Sequence, residues 1–356
     1  MNRKGFLGIV LFVSLLAGLF AQASGFGGKP TDSFKVAGVM RYYVVYAPSG
    51  LGGNPPLVFN VHGYNIDGPL MRAITQMDKV ADREKFIIVY PSALNKSWNM
   101  SGGDDLTFIV SIIDTIDARY HIDRNRVYAT GFSQGGFISF LLGCKYSDVF
   151  AAIAPVSGML NGTCTLKRPV PMFLKFGTNE SVASVSQFMA SVNSWLKLDS
   201  CPSTPVVTRP YPSTNPKSKV TRLSYGPCAQ GSEVVVDTVA GGTHEWVLTA
   251  DTNVNTSEET WAFLKNFTLK GATGVRRHLV SAAHDQISVS YSSGMVRLQG
   301  IREKCPVSVF DTRGRLVSST AVSGRRIVFK GRPSGVYVVM VNGNNTRPVG
   351  LKMLIP

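Results

Sequence analysis

The stretch VYATGFSQGGFISFLLGC, Val127 to Cys144, sets a serine between two glycines where one apolar segment stops and another starts. The first segment is rich in β-branched and aromatic residues and reads as a buried strand; the second reads as a buried helix. A strand that turns sharply into a helix on Gly131-x-Ser133-x-Gly135 has the pattern of a nucleophile elbow, which raises a serine hydroxyl above the end of a sheet. Glycine suits such a bend because the backbone is strained there and other chain passes close by. An ordinary glycine-lined turn is the competing reading. A serine hydroxyl attacks poorly unless a base takes its proton and donors hold the oxyanion that forms. The remaining sequence has to supply both.

Outward from this junction, apolar strands alternate with helical segments. PLVFNV (56–61), FIIVY (86–90), RVYAT (126–130), FAAIAPVSG (150–158), VPMFLKFGT (170–178) and EVVVDTVAGG (233–242) are apolar almost throughout. KVAGVMRYYVVYA (35–47) reads as paired strands. Helices are predicted from Met71 to Arg83, over LTFIVSIIDTIDARY behind Asp104 and Asp105, from Gln134 to Cys144, from Val185 to Leu198, and from Ser257 to Asn266. Strands with no polar face, separated by helices, imply an α/β domain with a doubly wound, mostly parallel sheet covered on both faces. In such a sheet polar chemistry collects at the carboxyl ends of the strands.

The base is found by elimination among five histidines. His278 and His284 lie in a segment beyond the first domain, and His121 follows a helix at the wrong end of the sheet. His62 ends an early strand, and the Gly63 after it suggests a backbone role. His244, in AGGTHEW after a late strand, is at the correct end. The acid is expected between serine and histidine, and Glu180 is the first carboxylate beyond the strand ending at Thr178; Asp199, Asp148 and Asp237 are its rivals. The oxyanion donors would be the backbone N–H groups of Gln134 and of Tyr64, in HGYNIDG. Trp98 and Trp246 are the aromatics nearest these loops and either line a substrate cleft or belong to the core. No pattern implies a metal or an organic cofactor.

Arg3 and Lys4 precede an apolar run from Phe6 to Phe20, and Ala21-Gln22-Ala23 supplies a small-x-small cleavage pattern. Residues 1–23 therefore read as a secretory signal peptide, with an uncleaved anchor as the alternative, although the run is short for a span of ~20 residues. No later stretch is long and apolar enough to cross a bilayer as a helix. Export permits disulfides. Cys144 with Cys164 and Cys201 with Cys228 are the pairs closest in sequence, among three possible connectivities of these four; Cys305 is left as a buried thiol.

The net charge of +15 is unevenly placed. Residues 24–269 hold 21 Lys and Arg against 19 Asp and Glu, whereas residues 270–356 hold 14 against 3. Texture changes in the same region. From 285 onward, short alternating runs such as VSVFDTRG and GVYVVMVNG are split by Gly, Asn or Ser, the pattern of a small all-β sandwich of roughly seven strands. The predicted organisation is a signal peptide (1–23), an α/β domain (24–270), a linker (271–284) and a basic β domain (285–356). The basic surface serves either solubility or attraction to a polyanionic surface; nucleic acid is excluded as a partner by the expected export.

The stretches YVVYAPSGL, PLVFNVHGYNIDG, ADREKFIIVYPSA, DDLTFIVSIIDTIDARYHIDRNRVYATGFSQGG, FAAIAPVSG, FGTNES and GGTHEW, taken in order, resemble the secreted esterase family that includes feruloyl esterases, acetylxylan esterases and poly(3-hydroxybutyrate) depolymerases. The resemblance covers about residues 41 to 250. It implies an α/β-hydrolase fold, carries the catalytic triad onto Ser133, Glu180 and His244, and supports the two cysteine pairs. Two departures stand out: Phe176-Gly177-Thr178-Asn179-Glu180 occupies the place of the family's usual His-Gly-Thr-x-Asp, and Thr243 replaces the usual glycine before the histidine. Residues from 285 resemble C-terminal sorting domains of the type IX secretion pathway, through VSVFDTRGRLV and PSGVYVVMVNGN. A carbohydrate-binding or fibronectin-like sandwich is the alternative there.

The expectation is an exported serine esterase acting on plant cell-wall polysaccharide esters through feruloyl or acetyl groups. A hydroxybutyrate polyester hydrolase, a degenerate polysaccharide-binding protein and a surface adhesin are the rivals. Expected partners are the polymer substrate and, through the C-terminal domain, secretion machinery or the cell surface.

Overall fold

The computed structural model describes residues 31–249 and 251–272, and beyond them the strands between Ser288 and Ile355. The expected signal peptide and residues 273–284 of the expected linker lie outside the described residues.

Ten strands form one sheet: β1 (Asp32–Val36), β2 (Val39–Tyr46), β3 (Leu57–Val61), β4 (Ile87–Ser92), β5 (Val127–Phe132), β6 (Ala152–Val156), β7 (Met172–Gly177), β8 (Val206–Thr208), β9 (Val220–Tyr225) and β10 (Val234–Val239). Their order is β1-β2-β4-β3-β5-β6-β7-β10-β9-β8. The six central strands are mutually parallel, and antiparallel strands complete both edges. The helices are α1 (Gly68–Thr75), α2 (Met77–Glu84), α3 (Asp104–Tyr120), α4 (Gln134–Lys145), α5 (Val185–Leu198) and α6 (Thr256–Leu264).

Alternation along the strands sorts the core into two layers. Phe59, Val61, Ile87, Val89 and Leu174 pack with Ile109 and Ile112 of α3, Ile138 of α4 and Trp195 of α5. Val58, Ile88, Tyr128 and Phe173, one residue out of phase, pack with Val80 of α2 and with Trp261 and Phe263 of α6. Both faces of the parallel strands are thus buried, which is why those strands carry no polar alternation.

From β3 the chain winds one way to β4, then returns past β3 to build β5, β6, β7 and β10 on the other side. The carboxyl ends of β3 and β5 therefore flank a topological switch point, where sheets of this kind bind ligands.

Two local expectations change. The helix predicted from Met71 to Arg83 is two helices, broken at Gln76, which caps α1 in the left-handed region at φ 49°. The antiparallel strands β8 and β9 extend the sheet through a segment that gave no strand signal.

The cysteine pairs are Cys144–Cys164 and Cys201–Cys228, with Cα atoms 5.6 and 4.2 Å apart. Each closes a loop of moderate length, a constraint on the unfolded chain of about 3 kcal/mol. Among the described residues no helix is long and apolar enough to cross a membrane.

The chain divides into two compact units at Gly274/Val275. The described strands of the second unit are β13 (Ser288–Ser292), β14 (Met295–Gln299), β15 (Cys305–Asp311), β16 (Leu316–Val322), β17 (Arg326–Val328), β18 (Gly335–Val341) and β19 (Val349–Ile355); the short β11 (Phe267–Thr268) and β12 (Gly271–Ala272) precede them in the first. They pair as β13-β14-β17 and β16-β15-β18-β19, both antiparallel. This is the all-β texture expected of the C-terminal part. Cys305 starts β15, and the thiol expected there to be buried lies outside the described side chains.

Candidate active site

Ser133 stands between β5 and α4, with φ 56° and ψ −119°, a backbone state that few L-residues tolerate. It is held there by three backbone bonds: its N–H donates to the Val156 carbonyl at 2.9 Å, and its own carbonyl accepts from Gly136 N–H at 2.8 Å and from Phe137 N–H at 3.2 Å. The flanking glycines are explained by crowding. A Cβ on Gly135 would sit 1.9 Å from the Val61 carbonyl oxygen, and one on Gly131 would sit 2.5 Å from the Gly135 oxygen. The helix must press onto β3 for the serine to reach the sheet edge, and any side chain would hold it off.

Glu180 and His244 meet on neighbouring loops. His244 Nδ1 lies 2.6 Å from Glu180 Oε2; the Glu180 side chain is 1% exposed and that of His244 is 18% exposed. The loops after β7 and β10 are laced together by bonds from Thr178 N–H to Val239 O and from Asn179 N–H to Gly242 O, each 2.9 Å, and from Gly241 N–H to Thr178 Oγ1 at 2.8 Å. Gly177 permits this approach, since a Cβ there would fall 2.0 Å from the Gly242 carbonyl oxygen. The imidazole packs on the Phe132 ring, centroids 4.6 Å apart and planes 34° apart. Phe132 is the residue before Ser133, so this contact seats the histidine beside the elbow. The Ser133 hydroxyl itself takes no hydrogen bond among the described residues.

The rival acids are engaged elsewhere. Asp199 is buried and accepts from Val170 N–H at 2.9 Å and from the Ser232 hydroxyl. Burial raises its carboxyl to about 6. Asp237 is paired with Arg222, and Asp148 with Lys167. His121 caps α3 and is exposed.

The N–H groups of Tyr64 and Gln134 find no acceptor among the described residues, as an anion-binding pair requires. Gln134 is the first residue of α4, where N–H groups are left open and the helix dipole favours negative charge. Its side chain is anchored: Oε1 accepts from Trp98 N–H at 2.9 Å, and Nε2 donates to Ser97 Oγ at 3.3 Å. On the Tyr64 side, His62 is a fixed strut. Ala93 N–H donates to its Nε2 at 2.9 Å, which leaves the ring proton on Nδ1 to bond the Gly63 carbonyl at 2.6 Å. Burial pushes this imidazole down to about 4, so it stays neutral at ordinary pH and keeps both bonds.

Trp98 and Trp246 do not line a cleft. They are 3% and 7% exposed, and their indole N–H groups bond inward, to the His62 carbonyl at 2.9 Å and to Ser257 Oγ at 3.0 Å. The core alternative is the correct one for both. On the loops after β3, β4 and β7 the exposed large apolar groups are instead Tyr64, Leu94 and Val182. Tyr64, 67% exposed, is the aromatic among them.

A family model described as Esterase PHB depolymerase matches residues 41–193. The chain is 30% identical over 261 residues to feruloyl esterase D of Neurospora crassa, an alignment covering 66% of this chain and 87% of that protein. The chain belongs to this esterase family. Another relative, a bifunctional acetylxylan esterase/xylanase of Neocallimastix patriciarum, is 32% identical over 244 residues; the match covers 67% of this chain but 35% of that longer protein. Among solved structures, an acetyl xylan esterase from Aspergillus awamori is similar with a TM-score of 0.51 at 17% identity, over 63% of this chain and 93% of that one. That likeness shows the α/β-hydrolase fold, with which the doubly wound sheet of this esterase family member agrees.

Proposed function

We propose that this protein is an exported serine carboxylic ester hydrolase that removes feruloyl or acetyl groups from plant cell-wall polysaccharides. The observation that carries the reading is the 2.6 Å contact of Glu180 with His244, seated against the residue next to Ser133. Glu180 accepts from His244 Nδ1–H and so leaves Nε2 free as the base. His244 takes the Ser133 proton as Oγ attacks the ester carbonyl. Catalytic hydrogen bonds in unliganded sites are commonly long, and the Ser133–His244 bond closes as substrate enters. The N–H groups of Tyr64 and Gln134 hold the oxyanion, each donor worth roughly 3–4 kcal/mol of barrier. Collapse of the tetrahedral species expels the sugar alkoxide, protonated by His244. Water, deprotonated by the same imidazole, then releases the carboxylic acid from Ser133. The relatives named as feruloyl and acetylxylan esterases favour cell-wall esters, and the family's description keeps hydroxyalkanoate polyester as the second reading.

A substrate panel separates the two. Purified protein is expected to hydrolyse methyl ferulate or acetylated xylan faster than short 3-hydroxybutyrate oligomers; cleavage of the oligomers alone would overturn the cell-wall assignment.

The basic second unit is read as the part that directs export or holds the enzyme at the cell surface. A chain ending at residue 270 is expected to keep its esterase activity and lose attachment to cells. Unchanged attachment would remove that role from residues 271–356.

A further inference from the structure

Ser157 follows β6, the strand between those that carry Ser133 and Glu180. Its backbone is in the left-handed region at φ 50°, which is uncommon for serine, and its N–H donates to the Lys175 carbonyl at 2.8 Å. That turn carries the hydroxyl toward β7. Ser157 is 1% exposed, and its Oγ donates to Glu180 Oε1 at 2.5 Å. Gly177 N–H reaches the same oxygen at 3.3 Å, while Oε2 faces His244. A buried carboxylate is tolerable only when its oxygens are bonded, and here the shortest bond outside the histidine comes from Ser157.

Glutamate has one more rotatable bond than aspartate and therefore more ways to miss the imidazole. With Oε1 pinned by a hydroxyl just past β6 and an N–H at the end of β7, the carboxylate plane is set and Oε2 is aimed at Nδ1. We propose that Ser157 is a positioning residue that makes a glutamate serviceable as the acid of this site. The proposal rests on Glu180 being that acid, as proposed above.

The test uses Ser157→Gly, which relieves the positive φ as it removes the hydroxyl, and Ser157→Ala, which removes the hydroxyl alone. Each is made in the parent and in a Glu180→Ala background, and p-nitrophenyl acetate is the substrate. In the parent both variants are expected to lower kcat by roughly ten- to a hundredfold, the scale of a misplaced catalytic group, with KM unchanged within twofold. In the Glu180→Ala background, where no carboxylate remains to be held, neither is expected to lower kcat further. Parent-like turnover in both variants overturns the proposal, and so does an equal loss in the two backgrounds, which marks a general structural role. A Ser133→Ala protein run alongside separates the two levels: if it is inert while the Ser157 variants are normal, the positioning role fails and the triad stands. If it is active, both fall.

Discussion

Ser133→Ala is expected to fold as the parent does and to lose turnover of p-nitrophenyl acetate by a factor on the order of 10⁵–10⁶, the loss expected when the nucleophile of a serine hydrolase is removed. The structure explains why the two effects separate. What fixes the elbow is backbone: Ser133 N–H to Val156, Gly136 N–H to Ser133, and the contact of Gly135 with the Val61 carbonyl. The hydroxyl takes no bond among the described residues, so alanine removes no interaction that supports the fold. The melting temperature is expected to stay within a few degrees, and KM for a small ester is expected to change little, since the Tyr64 and Gln134 N–H groups remain. Turnover near that of the parent would show that Ser133 is a turn residue and that the chemistry, if any, is elsewhere.

The parts of this site that the sequence made legible share one property: a strand signal fixes which end of the sheet they occupy. β3, β5, β7 and β10 are buried on both faces, so they are apolar almost throughout, with a single polar interruption in each of the first three and Asp237-Thr238 in the last, and their ends are easy to place. His244 and Glu180 follow from those ends. The strands that were missed are the opposite case. β8 is exposed or half-exposed along its length, and β9 is buried only at its two ends, so neither shows an apolar run or a clean alternation. The break at Gln76 was hidden because apolar residues continue at helical spacing on both sides, and the residue that takes the left-handed state is neither glycine nor asparagine. Ser157 was invisible for a similar reason. Nothing in PVSG marks a positive φ, and the function of its hydroxyl depends on a carboxylate 23 residues away. The tryptophans failed differently: proximity in sequence to the loops says nothing about which way an indole turns, and both turn inward to satisfy their N–H groups.

For Glu180→Gln the expected loss in kcat is about 10⁴-fold, through the tautomer of His244 rather than through its position. Glu180 Oε1 receives Gly177 N–H, a backbone donor that cannot reverse its role, together with the Ser157 hydroxyl. An amide at position 180 must therefore keep its oxygen on that side, which turns its NH₂ toward His244. The imidazole then has to accept at Nδ1, and the ring proton moves to Nε2, the atom that should take the proton of Ser133. A base already protonated at the reacting nitrogen cannot deprotonate the nucleophile. Glu180→Asp presents no such reversal; it keeps the charge but retracts the carboxylate by one methylene, and is expected to retain more activity than the amide. The distinguishing measurement is kcat for the two variants at one pH, with KM as control for substrate binding. An amide variant that turns over as fast as the aspartate variant would mean that the carboxylate does not govern the imidazole, and the acid would have to be sought among groups that the structure now shows engaged elsewhere.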